Sequence, residues 1–130
     1  MLLMLCYYCG AIADTKDHVP PRAARFEVIW YGLKREYPFL LVDCCAECNS
    51  ILQARPLWGL WERKLFIHYA LQERYAQLLS RPIWTDAELS ALGPELRARI
   101  ECEDAAQVVA LHRIEHAGLS RSFRAPDDVI

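Results

Sequence analysis

Two pairs of cysteines constrain the fold of this chain more than any other feature of its sequence. Cys6 and Cys9 form one Cys-x-x-Cys pair, Cys45 and Cys48 form the second, and residues 10–44 separate them. A Cys-x-x-Cys turn brings two thiolates close enough to share one metal ion. Two such turns complete the tetrahedral all-sulfur set that zinc accepts in structural sites. The pattern therefore predicts a structural zinc site on these four residues.

Other uses of cysteine fit the sequence less well. The apolar opening, residues 1–5, lacks the basic flank and cleavage site of a signal peptide, so we expect a cytoplasmic protein, where disulfides are rare. A redox pair is disfavoured because the thioredoxin-like strand and helix order is missing. Burial as small apolar residues remains the alternative, and we expect it for Cys44 and Cys102, which lie outside the paired spacing.

The composition changes near residue 56. Residues 1–56 hold five of the six cysteines, whereas 57–130 is mostly helix-forming. A length of 130 residues suits one domain, so we predict a single domain over 1–130, with a metal-organised part (1–56), a helical part (57–118) and a flexible tail (119–130). No apolar run is long enough to span a membrane. The net charge of −2 excludes a polybasic nucleic-acid binder.

Apolar spacing predicts three helices in the second half. The first covers 58–79, with an apolar face made of Trp58, Trp61, Leu65, Tyr69, Tyr75 and Leu79. Thr85 and Glu88 form a capping box that opens a short second helix. Pro94 starts the third, which ends near Gly118 and carries Leu96, Ile100, Val108, Leu111 and Ile114. In the first half, 2–5 and 39–42 are expected to be short strands, and 26–31 is compatible with helix or strand.

Charged and histidine residues of the helical half have two interpretations each. Arg63, Lys64 and Arg74 are compatible with a phosphate-facing stripe, but the glutamates between them favour a solvated face. His112 and His116 belong to an H-x-x-E-H pattern, which occurs in zinc proteases. We reject that function because such proteases need a further acidic ligand well downstream.

Three motifs in the first half together resemble a known family. They are Cys-x-x-Cys-Gly at 6–10, Asp-His-Val-Pro-Pro-Arg at 17–22 and Cys-x-x-Cys-Asn-Ser at 45–50. In kind and order they are similar to the zinc-containing branch of the HNH endonucleases, and the helical half more weakly resembles small phage and prophage HNH proteins. The resemblance implies an α+β fold, with a zinc-stapled ββα-metal (treble-clef-like) core followed by about three packed helices.

The resemblance also implies a role for each matched residue. Asp17 corresponds to a metal-ligating acid, His18 to the general base and Asn49 to a second metal ligand. Oxygen ligands suit Mg²⁺ or Mn²⁺, and histidine suits proton abstraction near neutral pH. Arg22 and Lys16 are candidate phosphate contacts. The implied function is metal-dependent hydrolysis of DNA phosphodiester bonds.

The sequence departs from that family in two places and so leaves alternatives open. The family usually has an asparagine about nine positions before the last ligand, whereas 37–41 reads Tyr-Pro-Phe-Leu-Leu. Many members also have a lysine a few residues after Cys-Asn, whereas 50–53 reads Ser-Ile-Leu-Gln. One alternative is a catalytically inactive HNH-fold zinc protein that binds DNA or a protein partner, as a phage-type inhibitor or adaptor would. Another is a structural zinc module that docks through its tryptophan-rich helix. In either case the role of His18 would be structural: its side chain would close a turn by donating a hydrogen bond to a backbone carbonyl.

Overall fold

The computed structural model describes residues 3–19, 40–53, 55–57 and 59–118. Within these ranges two strands and five helices follow one another: β1 (Thr15–Val19), β2 (Leu40–Cys44), α1 (Ala46–Leu52), α2 (Leu60–Arg74), α3 (Ala76–Leu79), α4 (Asp86–Ser90) and α5 (Pro94–Gly118). The predicted α+β class is confirmed. The division of 1–130 into one domain stays a prediction, and its proposed tail at 119–130 lies outside the described residues.

The two strands form an antiparallel pair that buries one face. Thr15 lies opposite Cys44, and Val19 lies opposite Leu40. Alternate side chains are buried, Asp17 and Val19 among them, because successive residues of a strand point to opposite faces. The predicted strand at 2–5 contributes a single bridge in the described part, between Leu5 and Ile12. The segment 26–31 lies outside the described residues.

The first long helix differs from its prediction in both length and orientation. The helical spacing predicted one helix over 58–79, but α2 ends at Arg74 and the four-residue α3 follows. The predicted apolar face is wrong at Trp61, which is 41% exposed, and at Tyr69, which is 61% exposed. Tyr75 and Leu79, further along, do pack against the core, and Trp58 lies outside the described residues. The buried face consists instead of Leu60, Arg63, Lys64, Ile67 and Leu71. These positions also repeat every three to four residues, so spacing alone fits either face.

The two later helices lie where the sequence places them. The Thr85 side chain accepts a hydrogen bond from the Glu88 backbone N–H at 3.2 Å, and the Glu88 carboxylate accepts one from the Thr85 backbone N–H at 3.3 Å, which confirms the capping box. The third predicted helix is α5. Its expected apolar residues divide between a buried pair, Ile100 and Ile114, and an exposed group, Leu96, Val108 and Leu111.

The main core joins α2 and α5 to the two Cys-x-x-Cys turns. α5 packs along α2, and its end returns to the segment that carries Cys6 and Cys9. Tyr8 is fully buried there together with Ile67 and Ile114. His68 is half-buried on α2, and its Nδ1 lies 2.8 Å from the carbonyl oxygen of Ile114. Within the described segments, no helix has the length and apolar character needed to cross a membrane.

Candidate functional site

The four paired cysteines converge on one point. The sulfur atoms of Cys6, Cys9, Cys45 and Cys48 all lie within 4.8 Å of one another, and all four residues are buried. A zinc–sulfur bond of about 2.3 Å implies sulfur separations of about 3.8 Å in a tetrahedral site. The Cys9 and Cys45 sulfurs are 3.7 Å apart, which matches that spacing. The predicted clustering of the four cysteines is confirmed, and the cluster could hold a structural metal ion such as zinc.

Local structure explains how each pair presents its sulfurs. In the first turn, the Gly10 N–H donates to the Cys6 carbonyl at 2.9 Å, and Gly10 has a φ of +78°, which glycine adopts without strain. In the second, Cys45 is the N-cap of α1, and its sulfur accepts from the Cys48 N–H at 3.4 Å. A helix N-terminus favours negative charge, so this position stabilises a thiolate.

Hydrogen bonds within the cluster divide the four thiols into three with a lowered pKa and one with a raised pKa. Those from Cys44 and Cys48 lower the pKa of the Cys6 thiol to about 2, and the pKa values of the Cys9 and Cys45 thiols fall to about 6. The same hydrogen bonds raise the pKa of the Cys48 thiol. The thiolate is the form that binds a metal, so binding of a cation to all four sulfurs would have to displace the proton from Cys48.

The two remaining cysteines have different environments. Cys44 is buried and its thiol donates to the Cys45 carbonyl at 3.3 Å, as expected of a core residue. Cys102 is exposed on α5, and the expectation that it lies in the core is wrong. Cys102 follows the buried Ile100 by two residues, which is about 200° around the helix, so it lies on the side of α5 opposite that buried position.

Two cations of the helical half lie around the cluster. On α5, Arg113 donates from Nε to the Cys9 sulfur at 3.3 Å and from Nη2 to the Cys45 sulfur at 3.9 Å. Lys64 on α2 is 1% exposed and donates to the backbone carbonyls of Tyr8 and His116. Burial lowers the pKa of the Lys64 ammonium to about 8, although the nearby thiolates oppose this shift.

Asp17 belongs to a second buried network. Its side chain accepts from Arg63 at both oxygens, from Nη2 to Oδ1 at 2.8 Å and from Nε to Oδ2 at 3.0 Å. The Tyr8 hydroxyl also donates to Oδ2, and the third Arg63 nitrogen donates to the Leu57 carbonyl at 2.7 Å. Arg63 is 0% exposed and Asp17 is 4% exposed. The expected solvated face for Arg63 and Lys64 is therefore wrong.

The other predicted site residues lie around β1. His18 is half-buried, and the alternation of the strand directs it away from the Asp17 side. The Asn49 side-chain amide donates to the Thr15 hydroxyl at 3.4 Å, which places Asn49 over the same sheet face as Asp17. Lys16 forms a 2.5 Å ion pair with Asp43. Arg22 lies outside the described residues.

A catalytic Mg²⁺ or Mn²⁺ on Asp17 does not fit this arrangement. Both carboxylate oxygens already accept hydrogen bonds from a buried guanidinium. A cation on this carboxylate would either lie next to the like charge of the Arg63 guanidinium, which opposes its binding, or displace Arg63, and an unpaired guanidinium in the interior costs several kcal/mol (about 3–5). The metal-binding roles of Asp17 and Asn49 thus stay predictions, and no catalytic step is derived through that cation.

Comparisons with protein-family models, curated proteins and solved structures find no match to this chain. Its function therefore has to be argued from the site itself.

Sequence reasoning missed Arg63, Lys64 and Arg113 as site residues. The signal for the first two was present, because they lie between Leu60 and Ile67 at helical spacing and so share their face. Arg113 carried no such signal, since its two sulfur partners lie more than sixty residues away in sequence. Only the return of α5 to the cysteine turns brings them together.

A groove of about 470 Å³ runs beside the first cysteine turn. Gly10 and Val109 line its sides, and His112, Glu115 and His116 also border it. The H-x-x-E-H residues are thus close to the metal centre. In the described part of the chain, however, the only set of three or more clustered ligands is that of the four cysteines.

Proposed function

We propose that this chain is a zinc-stabilised protein with an HNH-type, treble-clef-like core that acts as a binding module and does not cut DNA. One observation carries the proposal: the side chain of Asp17, which would have to hold the catalytic cation, is engaged at both oxygens by Arg63. The same pairing gives Asp17 a structural task, because it ties β1 to α2.

The surface supports a protein partner rather than DNA. Large apolar side chains are exposed beside the first cysteine turn, where Leu3, Met4, Leu5 and Ile12 are each more than half exposed. Hydrogen bonding joins the two segments that carry them, from the Ala13 N–H to the Met4 carbonyl. Exposed apolar clusters are typical of protein interfaces, whereas tight DNA binding needs many unpaired cations. The net charge is −2, and Lys16 is paired with Asp43.

A metal-dependent endonuclease is the second candidate. The observation that favours it is the hydrogen bond from Asn49 to Thr15, which sets the α1 asparagine against the strand that carries Asp17 and His18. In that function His18 would take a proton from the attacking water. The candidate requires Arg63 to release Asp17 before a cation could bind there.

Plasmid nicking by zinc-loaded protein separates the two candidates. We expect no cleavage with about 10 mM Mg²⁺ or Mn²⁺, either without or with a chelator, even when the protein is in large molar excess over the plasmid. The informative variants are His18→Ala and its matched control, His112→Ala, which removes an exposed imidazole from α5. Metal-dependent nicking that is lost in His18→Ala and retained in His112→Ala would establish the nuclease and refute the binding module.

Binding of DNA is measured separately by fluorescence anisotropy with a labelled duplex. We expect no saturable binding at physiological salt, because the described cations are largely paired with acidic groups. Tight binding whose affinity falls steeply with salt would contradict the choice of a protein partner.

A further inference from the structure

The guanidinium of Arg113 links the two halves of the metal centre. It donates to one sulfur of each Cys-x-x-Cys pair, at 3.3 Å to Cys9 and at 3.9 Å to Cys45. Its remaining nitrogen, Nη1, lies 2.6 Å from Oε1 of Glu47 and 3.2 Å from the hydroxyl oxygen of Tyr75. The side chain is 13% exposed, so these contacts are largely shielded from water.

Charge explains why a cation belongs at this position. Four thiolates around one Zn²⁺ carry a net charge of −2, and a buried charge is costly unless it is paired and hydrogen-bonded. Arg113 and Lys64 supply two positive charges next to the cluster. A guanidinium stays protonated in proteins, so Arg113 brings a permanent positive charge to the two sulfurs that it contacts.

Glu47 holds Arg113 in this orientation. The glutamate is on α1, between Cys45 and Cys48, and it also accepts hydrogen bonds from Arg74 at 3.0 Å and from Tyr75 at 2.8 Å. The arginine therefore extends from α5 to the same short helix that provides two of the metal ligands. The sulfur contacts and the Glu47 contact fix one guanidinium orientation.

We propose that Arg113 is a positioning residue of the metal centre, and that through it metal binding fixes α5 against the two cysteine turns. A bound metal keeps both sulfurs deprotonated and fixes their positions, so it holds both N–H···S contacts in one geometry. The C-terminal helix is then part of the metal site although it contributes no ligand. This inference rests on the four-thiol cluster and is independent of the partner or nuclease question.

Arg113→Met tests the proposal, because methionine keeps much of the apolar stem and removes every donor. Outer-sphere partners of a metal site typically contribute 10–100-fold in metal affinity, so we expect zinc transfer to a chromogenic chelator to become roughly 10–100-fold faster. The matched control is Arg97→Met on the exposed side of the same helix, where the arginine pairs with Glu101 at 3.0 Å. We expect the control to release zinc at the wild-type rate.

Replacing zinc with cobalt gives an absorption spectrum that would not change in the Arg113 variants if Arg113 only stabilised the fold. N–H donors stabilise the sulfur electrons from which the sulfur-to-cobalt charge-transfer band arises, so their removal in Arg113→Met should shift that band to lower energy. In hydrogen exchange, zinc should protect the α5 amides around Ile114 in the wild type. That protection should largely disappear in the variant, while the zinc-dependent protection of α1 remains.

Arg113→Lys keeps the test decisive if the methionine variant does not fold. A single ammonium retains the charge but lacks the planar fork that reaches two sulfurs, so we expect zinc release several-fold faster than in the wild type and a smaller cobalt shift. The proposal is overturned if this variant, or a folded Arg113→Met, matches the wild type in release rate and cobalt spectrum. It is also overturned if Arg97→Met changes as much, or if the wild type binds no stoichiometric metal.

Discussion

The buried pair of Asp17 and Arg63 gives the sharpest test of this structure. Two parallel hydrogen bonds join them at 2.8 and 3.0 Å, and neither side chain is more than 5% exposed. Removal of one partner leaves the other charge buried without compensation. Such losses typically cost about 3–5 kcal/mol, a large share of the roughly 5–15 kcal/mol that stabilises a domain of this size.

A double-mutant cycle isolates the interaction. We expect Asp17→Asn and Arg63→Met each to lower the free energy of unfolding by about 3–5 kcal/mol. The double variant removes both charges together, so we expect its cost to fall short of the sum by about 2–3 kcal/mol. Urea denaturation of the zinc-loaded proteins, followed by far-UV circular dichroism and tryptophan fluorescence, measures these differences.

The surface pair of Lys16 and Asp43 is the control for this cycle. Lys16 is 57% exposed, and its Nζ lies 2.5 Å from Oδ1 of Asp43. Solvent screens the attraction between these two charges. We expect Lys16→Met to change the stability by less than about 1 kcal/mol. Single costs at Asp17 and Arg63 that are as small as this, or costs that simply add in the double variant, would refute the buried pair. Asp17 would then be available to a cation.

Three further results are expected. Cys48→Ser should lose stoichiometric zinc, measured by metal analysis, and the fold of the N-terminal half, measured by circular dichroism. The control Cys102→Ser should retain both. A full complement of zinc in Cys48→Ser would contradict the assigned ligands. Gly10→Ala should destabilise by roughly 1–2 kcal/mol in urea melts, because φ is +78° and the new Cβ would lie 3.2 Å from the His116 ring. Gly93→Ala, with open space around it, should not do so. Thr85→Ala should cost about 1 kcal/mol through loss of the N-cap, and an unchanged urea midpoint would count against the capping box.

Local signals in the sequence predicted the helices α4 and α5 among the elements that the structure describes. Thr85 and Glu88 satisfy orphan backbone groups at their own helix end, and Pro94 starts a helix because its fixed φ suits the first turn. Both effects act over a few residues, so they can be recognised without knowledge of the fold. The rotation of α2 could not be predicted in this way. Trp61 and Tyr69 repeat at helical spacing as well as Leu60 and Ile67 do, and the neighbours of the helix decide which face is buried.

In the candidate site, too, the features that depend on neighbouring residues could be predicted, and those that depend on distant segments could not. The spacing within each Cys-x-x-Cys pair is a local property, so the sequence alone identified the four cysteines that cluster and could hold a metal ion such as zinc. The state of Asp17 depends on Arg63, forty-six residues further along the chain, and the surroundings of the thiolates depend on Arg113 in the last helix. Such pairings form only when packing brings distant segments together. The sequence therefore determined which four cysteines cluster, while the tertiary structure decided which charges are paired around them and which partners the carboxylate of Asp17, beside His18, has.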